Sequence, residues 1–271
     1  RVPFENPVSI DGRTQYEPDS VVAWKADGER KYIVLTMYDG KPIACFVNRY
    51  EKVQELDVRA PPDMFTSNSV FDGELCTYMP DRTQQIFLVF NTLLDRGVSY
   101  FRQPYRSRLA SIARSFLSTI LSTAQKARTI GFVVASNENL HILSKPYEHA
   151  SNLAQMLNHP PSMFETDGLV ITPLQDGMTT GRNRRLLKYK PKDKHTIDVV
   201  AVCYQDGRPM ELFGLCRGEL IDLRNIIQCY FEPSELFDSV VRGAVLLNHL
   251  DGKPPAPFRH VVEMYVHPEP D

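Results

Sequence analysis

A chain of 271 residues, 42% hydrophobic and 24% charged, is long enough for one large domain or two ordinary ones with proper cores. Its 31 basic and 33 acidic residues leave a net charge of −2, so bulk charge predicts no affinity for nucleic acid, and any polyanion site has to come from local clustering. No run reaches the length a membrane-spanning helix needs, and the five scattered cysteines (Cys45, Cys76, Cys203, Cys216, Cys229) form no CxxC pair, which argues against a zinc site and for reduced thiols in an intracellular compartment.

The N-terminus begins with Arg1 and has no charged-then-apolar signal pattern, as expected for a piece of a longer polypeptide. Residues 21–24 and 31–37 are rich in β-branched and aromatic side chains and flank Lys25-Ala26-Asp27-Gly28-Glu29-Arg30; the pattern predicts strand, turn, strand, with Gly28 easing the turn. Further strands are expected over 43–47, 69–71, 86–94, 131–135 and 168–172. Leu109, Ile112, Phe116, Ile120 and Leu121 recur at helical spacing and predict an amphipathic helix over 105–127, its apolar stripe facing the core. A shorter helix is expected over 148–157, stopped by Pro160 and Pro161. Mostly strands with a few helices indicate an α+β domain on antiparallel sheet.

Composition changes near 188–198. Just before that point, residues 181–195 hold Arg182, Arg184, Arg185, Lys188, Lys190, Lys192 and Lys194 against one acid, Asp193. Beyond it, short strands at 196–204, 211–216 and 261–266 and a helix near 234–247 have the size of a small barrel. No internal repeat or low-complexity run is present, and the seven histidines are scattered.

Lys25 is the candidate nucleophile. A lysine attacks phosphorus only as the neutral amine, and nearby cations with partial burial free its lone pair. Taken alone, KxDGxR reads equally well as a solvated hairpin. Its companions are Asp72-Gly73-Glu74-Leu75, Glu165-Thr166-Asp167-Gly168 at the mouth of a strand, and Leu187-Lys188-Tyr189-Lys190, whose alternation turns both lysines to one face. Two acids and two lysines in that order suit a ribose triphosphate and its metal, although DG also marks ordinary turns and KxK an ordinary solvated strand.

These segments together resemble the covalent nucleotidyltransferases and, within them, the mRNA capping guanylyltransferases, over about residues 7–200. Asn6-Pro7-Val8-Ser9-Ile10 is similar to the family's lead-in segment. Val22-Ala23-Trp24-Lys25-Ala26-Asp27-Gly28-Glu29-Arg30-Lys31-Tyr32 resembles its first motif, Phe71-Asp72-Gly73-Glu74-Leu75 the third, Thr166-Asp167-Gly168-Leu169-Val170-Ile171 the fourth and Leu186-Leu187-Lys188-Tyr189-Lys190-Pro191 the fifth. Thr196-Ile197-Asp198 and Ser144-Lys145-Pro146-Tyr147 resemble segments of capping enzymes.

The resemblance implies an antiparallel-sheet nucleotidyltransferase domain over 1–195 and a partial OB-type β-barrel over 196–271. It implies that Lys25 takes up GMP from GTP as a phosphoramide and passes it to the 5′-diphosphate end of RNA. In this reading Arg30 and Glu74 hold the ribose, Arg49 orients sugar or phosphate, Phe90 and Val170 sandwich the guanine, and Lys145 reads its carbonyl oxygen. Lys188 and Lys190 grip the α-phosphate, and Asp167 contacts Mg2+ or Mn2+. The implied partners are RNA and the RNA triphosphatase and cap methyltransferase activities, in cis or in trans, in a nucleus or a viral cytoplasmic factory and not at a membrane. The basic 181–195 run is either a solvated strand or a path for the RNA 5′ end.

The sequence departs from the family at Asn91, where an acid is usual, at Tyr189, where tryptophan is commoner, and in lacking an Arg-x-Asp-Lys element in the barrel. Two other readings stand beside this one: an ATP-dependent polynucleotide ligase of the same superfamily, and a non-catalytic nucleotide- or RNA-binding module.

Overall fold

The computed structural model describes residues 17–178, 183 and 185–190 with their side chains, and beyond them the backbone of strands at 196–203, 211–216, 219–222 and 258–265. The first part of the chain contains β1 (Ser20–Ala26), β2 (Glu29–Tyr38), β3 (Lys41–Asn48), β4 (Val53–Leu56), β5 (Val58–Arg59), α1 (Pro62–Thr66), β6 (Ser69–Thr77), β7 (Gln85–Asp95) and β8 (Val98–Ser99). Then come α2 (Tyr105–Ser115), α3 (Thr123–Arg128), β9 (Val134–Ala135), β10 (Leu140–Ser144), β11 (Glu148–His149), α4 (Leu153–Leu157), β12 (Thr166–Pro173) and β13 (Leu187–Tyr189).

Two sheets carry this unit. A seven-stranded sheet has the order β10-β7-β6-β2-β3-β4, with β8 on β7; a four-stranded sheet has the order β11-β1-β12-β13. Pairing among the described strands is antiparallel except between β10 and β7, which run parallel. Alternation decides the faces. Ile33 and Leu35 of β2, Phe46 of β3, Phe71 of β6 and Phe87 of β7 are buried together with Met64, Ile112 and Phe116 under the helices. Each such large side chain, fully withdrawn from water, contributes about 2–3 kcal/mol. A second core joins the two sheets through Ala26, Cys76, Ile86, Leu88, Leu143 and Phe164. A third lies between the far face of the four-stranded sheet and α4, through Val22, Leu153, Leu169 and Ile171.

Four expectations are corrected. The segment around Lys25 is not a hairpin: β1 runs on to Ala26 and belongs to one sheet, while β2 begins at Glu29 and belongs to the other. Asp27 and Gly28 carry the chain across, with the Asp27 N–H on the Glu165 carbonyl at 2.9 Å. Gly28 serves close approach, not turn geometry, since a Cβ there would stand 2.5 Å from the Leu75 carbonyl oxygen.

The helix expected over 105–127 is broken in two. Phe116 turns extended at the end of α2 and enters the core, and the Leu117 carbonyl accepts the Ser144 N–H of β10 at 2.7 Å. The chain restarts as α3 at Ser122, whose side chain and that of Gln125 close a capping box. The helix expected over 148–157 survives only in its second half, because Glu148 and His149 pair with Val22 and Val21 of β1. Of the strand expected over 131–135 only β9 forms, and β10 is a strand the sequence reading did not contain.

The chain divides into two compact units between Lys190 and Pro191. The second unit shows β14 (Thr196–Cys203), β15 (Glu211–Cys216), β16 (Glu219–Asp222) and β17 (Phe258–Tyr265) in an antiparallel sheet of order β16-β15-β14-β17. Where a partial OB-type barrel was expected, the described residues form this four-stranded sheet; the helix expected at 234–247 and the 6–10 segment lie outside the described residues. Among the described residues no helix is long and apolar enough to cross a membrane.

Candidate active site

Two irregularities in strand pairing build the site. The first is in the β1–β12 ladder, where Trp24 pairs with Leu169 and Ala26 with Thr166, so Lys25 falls in a bulge opposite Asp167 and Gly168. Gly168 has φ +139°, and a Cβ on it would lie 1.9 Å from the Tyr189 carbonyl oxygen. Only glycine lets β13 come that close. The Lys25 Nζ donates to Asp167 Oδ2 at 2.7 Å, and the Lys190 Nζ stands 3.1 Å from the same oxygen. All three side chains are mostly but not wholly buried, and Asp167 Oδ1 is buried with no hydrogen-bond partner.

The second irregularity is in the β6–β7 ladder. Asp72 pairs with Asn91 and Gly73 with Val89, which leaves Phe90 in a bulge. Its carbonyl accepts from the Tyr105 hydroxyl at 2.9 Å and the Tyr147 hydroxyl at 3.2 Å. The Arg30 Cζ lies 6.0 Å and the Lys145 Nζ 5.5 Å from the centre of the Phe90 ring. Arg30 grips the fully buried Asp72 with both arms of its fork, Nε to Oδ1 at 2.9 Å and Nη2 to Oδ2 at 2.5 Å. Asp72 and Glu74 are two apart on β6 and share a face, with Tyr32 and Arg30 as their partners on β2. Gly73 between them is required by packing: a Cβ there would meet the Phe87 ring at 2.4 Å.

Burial pushes the Glu74 carboxyl up to about 7, against the pull of Lys145 and Lys25. Burial lowers the Lys145 ammonium to about 8, with Glu74 opposing. Asp72 is also raised by burial, against its hydrogen bonds from Arg30, and those same bonds hold the guanidinium above its ordinary range. Lys25 acts on both Glu74 and Lys145, so charges from the two sheets meet in one cleft.

The structure thus gathers Lys25, Asp167 and Lys190 at one bulge, and Arg30, Glu74, Phe90 and Lys145 around the other. Val170 and Lys188 are cross-strand partners on the face of the four-stranded sheet opposite the one that packs on α4. Arg49 is elsewhere in its contacts: it lies 4.7 Å from the Tyr50 ring centre and donates to the Tyr50 hydroxyl at 2.6 Å on an exposed turn. Sequence reasoning missed Asp72 as the partner of Arg30, a role foreshadowed by the i, i+2 acids of Asp72-Gly73-Glu74. It also missed the roles of Tyr105, for which the sequence holds no signal, and of Tyr147, which stands in the Ser144-Lys145-Pro146-Tyr147 segment but was given no task there. Asn91, which stands where an acid is usual, is the Cα partner of the buried Asp72. A groove of about 720 Å³ lined by Leu56, Val58, Phe65 and Ile130, among others, contains none of these residues.

One sheet thus carries a partly buried lysine on a carboxylate shared with a second lysine, and the other an aromatic ring within 6.0 Å of two further cations. The chain belongs to the catalytic-domain family of the mRNA capping enzymes, which matches residues 1–192. It is 25% identical over 216 residues to the mRNA-capping enzyme subunit alpha of Schizosaccharomyces pombe, covering 72% of this chain and 52% of that protein, so it spans about half the length of this curated relative. Among solved structures it is similar to mycobacterial DNA ligase D complexed with ATP and MES, with 14% identity, TM-score 0.40, and coverage of 74% of this chain and 65% of that one. It is similar also to the ATP-dependent DNA ligase of bacteriophage T7 in complex with ATP, with 11% identity, TM-score 0.40, and coverage of 91% and 84%.

Proposed function

We propose that this chain is an mRNA guanylyltransferase that forms a covalent lysyl-GMP on Lys25 from GTP and passes the GMP to a 5′-diphosphate RNA end. The observation that carries the reading is the Lys25–Asp167–Lys190 cluster, with Lys25 Nζ 2.7 Å from the carboxylate. In the first half-reaction Lys25 gives up its proton, for which Asp167 is the adjacent base, and its lone pair attacks the α-phosphorus. An N–P bond forms, the bond from that phosphorus to the bridging oxygen breaks, and pyrophosphate leaves with the electron pair. In the second half-reaction a terminal oxygen of the RNA diphosphate attacks the same phosphorus and the amine leaves, regaining a proton.

Lys190 and Lys188 meet the negative charge that builds as pyrophosphate departs. Arg30 and Glu74 take the ribose, Phe90 and Val170 the guanine faces, and Lys145 the guanine carbonyl. Asp167 is the residue that would hold Mg2+ or Mn2+, and its unpartnered Oδ1 fits that task. Among the described residues no group of three or more His, Cys, Asp or Glu is arranged to hold an ion. When bound, such an ion neutralises phosphate charge. RNA triphosphatase and cap methyltransferase activities are the partners this reaction requires before and after it, in an intracellular compartment.

The test is incubation with α-labelled GTP or α-labelled ATP and a divalent metal, followed by denaturing electrophoresis and a chase with diphosphate-ended RNA. Label from GTP that moves to RNA is the expected result. Label from ATP alone establishes the ligase reading, and no adduct with either nucleotide establishes the binding module.

A further inference from the structure

The Phe90 bulge is held by groups that the reaction itself does not use. Its carbonyl points away from the ladder and receives two buried phenols, one from the first turn of α2 and one from the segment after β10. The two hydroxyls also touch each other, Oη to Oη, at 2.7 Å. Two protons therefore serve three contacts: both point at the carbonyl, or one hydroxyl donates to the other and the second passes its own proton on. Either way an orphan bulge carbonyl, which buried backbone cannot leave unpaired without cost, is satisfied from elements far apart in the chain.

We infer that Tyr105 and Tyr147 are positioning residues for the nucleotide base: their hydroxyls pin the bulge that presents the Phe90 ring between Arg30 and Lys145. The inference rests on the nucleotide reading above and deepens it by assigning what fixes the base platform. A regular ladder would bury residue 90 or turn it out of the cleft, since successive side chains alternate faces. The bulge breaks that alternation, and the tyrosines decide whether it persists. Burial pushes both phenols above their ordinary range, which favours the protonated, donating form. The T-shaped contact of the two rings, 6.1 Å between centroids, keeps the pair aligned when one hydroxyl is removed.

The experiment uses Tyr105→Phe, Tyr147→Phe and the double variant, each of which keeps its ring. Dissociation constants for GTP and ATP are measured calorimetrically, and the rate of Lys25 labelling is measured against nucleotide concentration. Each single variant should weaken binding of the accepted nucleotide by about 3–10-fold, the loss expected for one hydrogen bond, while the saturated labelling rate stays within about twofold. Ser111→Ala is the control, because it removes another buried hydroxyl bond on α2, to Asp95 Oδ2 at 2.7 Å. It should lower Tm and leave affinity unchanged. In a Phe90→Leu background the tyrosine changes should have no further effect on affinity, which a merely structural role would not produce. Unchanged affinity in both single variants overturns the inference, as does an equal loss in Ser111→Ala or full additivity with Phe90→Leu. A chain that binds GTP or ATP but forms no adduct fails the transferase reading and still tests the tyrosines by affinity; one that binds neither overturns both.

Discussion

The two sheets that meet at the cleft are held together in opposite ways. On the seven-stranded sheet two site residues are fixed by buried partners: Arg30 by the fully buried Asp72, and the Phe90 carbonyl by two tyrosines. On the four-stranded sheet the site residues hold one another by exchangeable charge contacts, two lysines sharing one oxygen of Asp167 while the other oxygen has no partner. A recognition surface gains from rigidity, because preorganised groups lose less freedom on binding. A nucleophile must leave its resting partner to reach phosphorus. Under the proposed function the contrast puts bond-making on the four-stranded sheet and most of recognition on the seven-stranded one, with Val170 of β12 as the exception.

The largest expected effect lies on the four-stranded sheet. Lys25→Ala should abolish the covalent adduct while Tm changes by only a few degrees, because Asp167 keeps Lys190 and the lost pair is partly solvated. Lys188→Ala and Lys190→Ala should slow single-turnover labelling by about 100-fold or more with little change in nucleotide affinity. Slow labelling that is restored by raising GTP would place these lysines in recognition and erase the division between the sheets.

The next effect lies on the seven-stranded sheet and appears in stability. Arg30→Ala strands a carboxylate with no exposed surface, and urea unfolding should show a loss of about 2–4 kcal/mol, the lower part of the range for a broken buried pair because the guanidinium is itself half in water. Asp72→Asn added to that variant should recover most of the loss but not nucleotide binding. No recovery would mean that Arg30 stabilises by packing on Tyr32 and Phe90, not by its charge.

Most strands were legible because alternation of apolar side chains is a local signal, and Lys25, Asp167 and Lys190 were legible because motif order survives any register. What could not be read was register itself. The bulges at Lys25 and Phe90 arise where β1 meets β12 and β6 meets β7, and whether a residue is skipped depends on both strands at once. The same holds for the broken helix: Phe116 and Leu117 fit a helical stripe, but the core takes the first and β10 takes the carbonyl of the second. The apparent hairpin at Lys25 failed for a related reason, since nothing local to Asp27 and Gly28 tells one sheet from two. Asp167 and Glu74 looked alike as acids beside glycines; in the fold Asp167 carries ion pairs to Lys25 and Lys190, while burial raises the Glu74 carboxyl.

That separation gives the smallest and most specific effect. The Glu74 carboxyl is raised to about 7 by burial, from a model-compound value of 4.5, so between those values the folded chain keeps a proton that the unfolded chain has lost. Stability from this group therefore falls as pH rises through that window and levels off above it. Glu74→Gln removes the titration, so its Tm should vary less than that of the parent between about pH 5 and 7, with the parent losing more on the way up. Lys145, lowered to about 8, has the opposite sign at higher pH: the unfolded chain holds its proton longer, and stability rises between about 8 and the ordinary lysine value. Parallel Tm profiles for parent and Glu74→Gln below pH 7 would show that Glu74 titrates as an ordinary exposed acid, and the cleft would then hold that carboxylate in water.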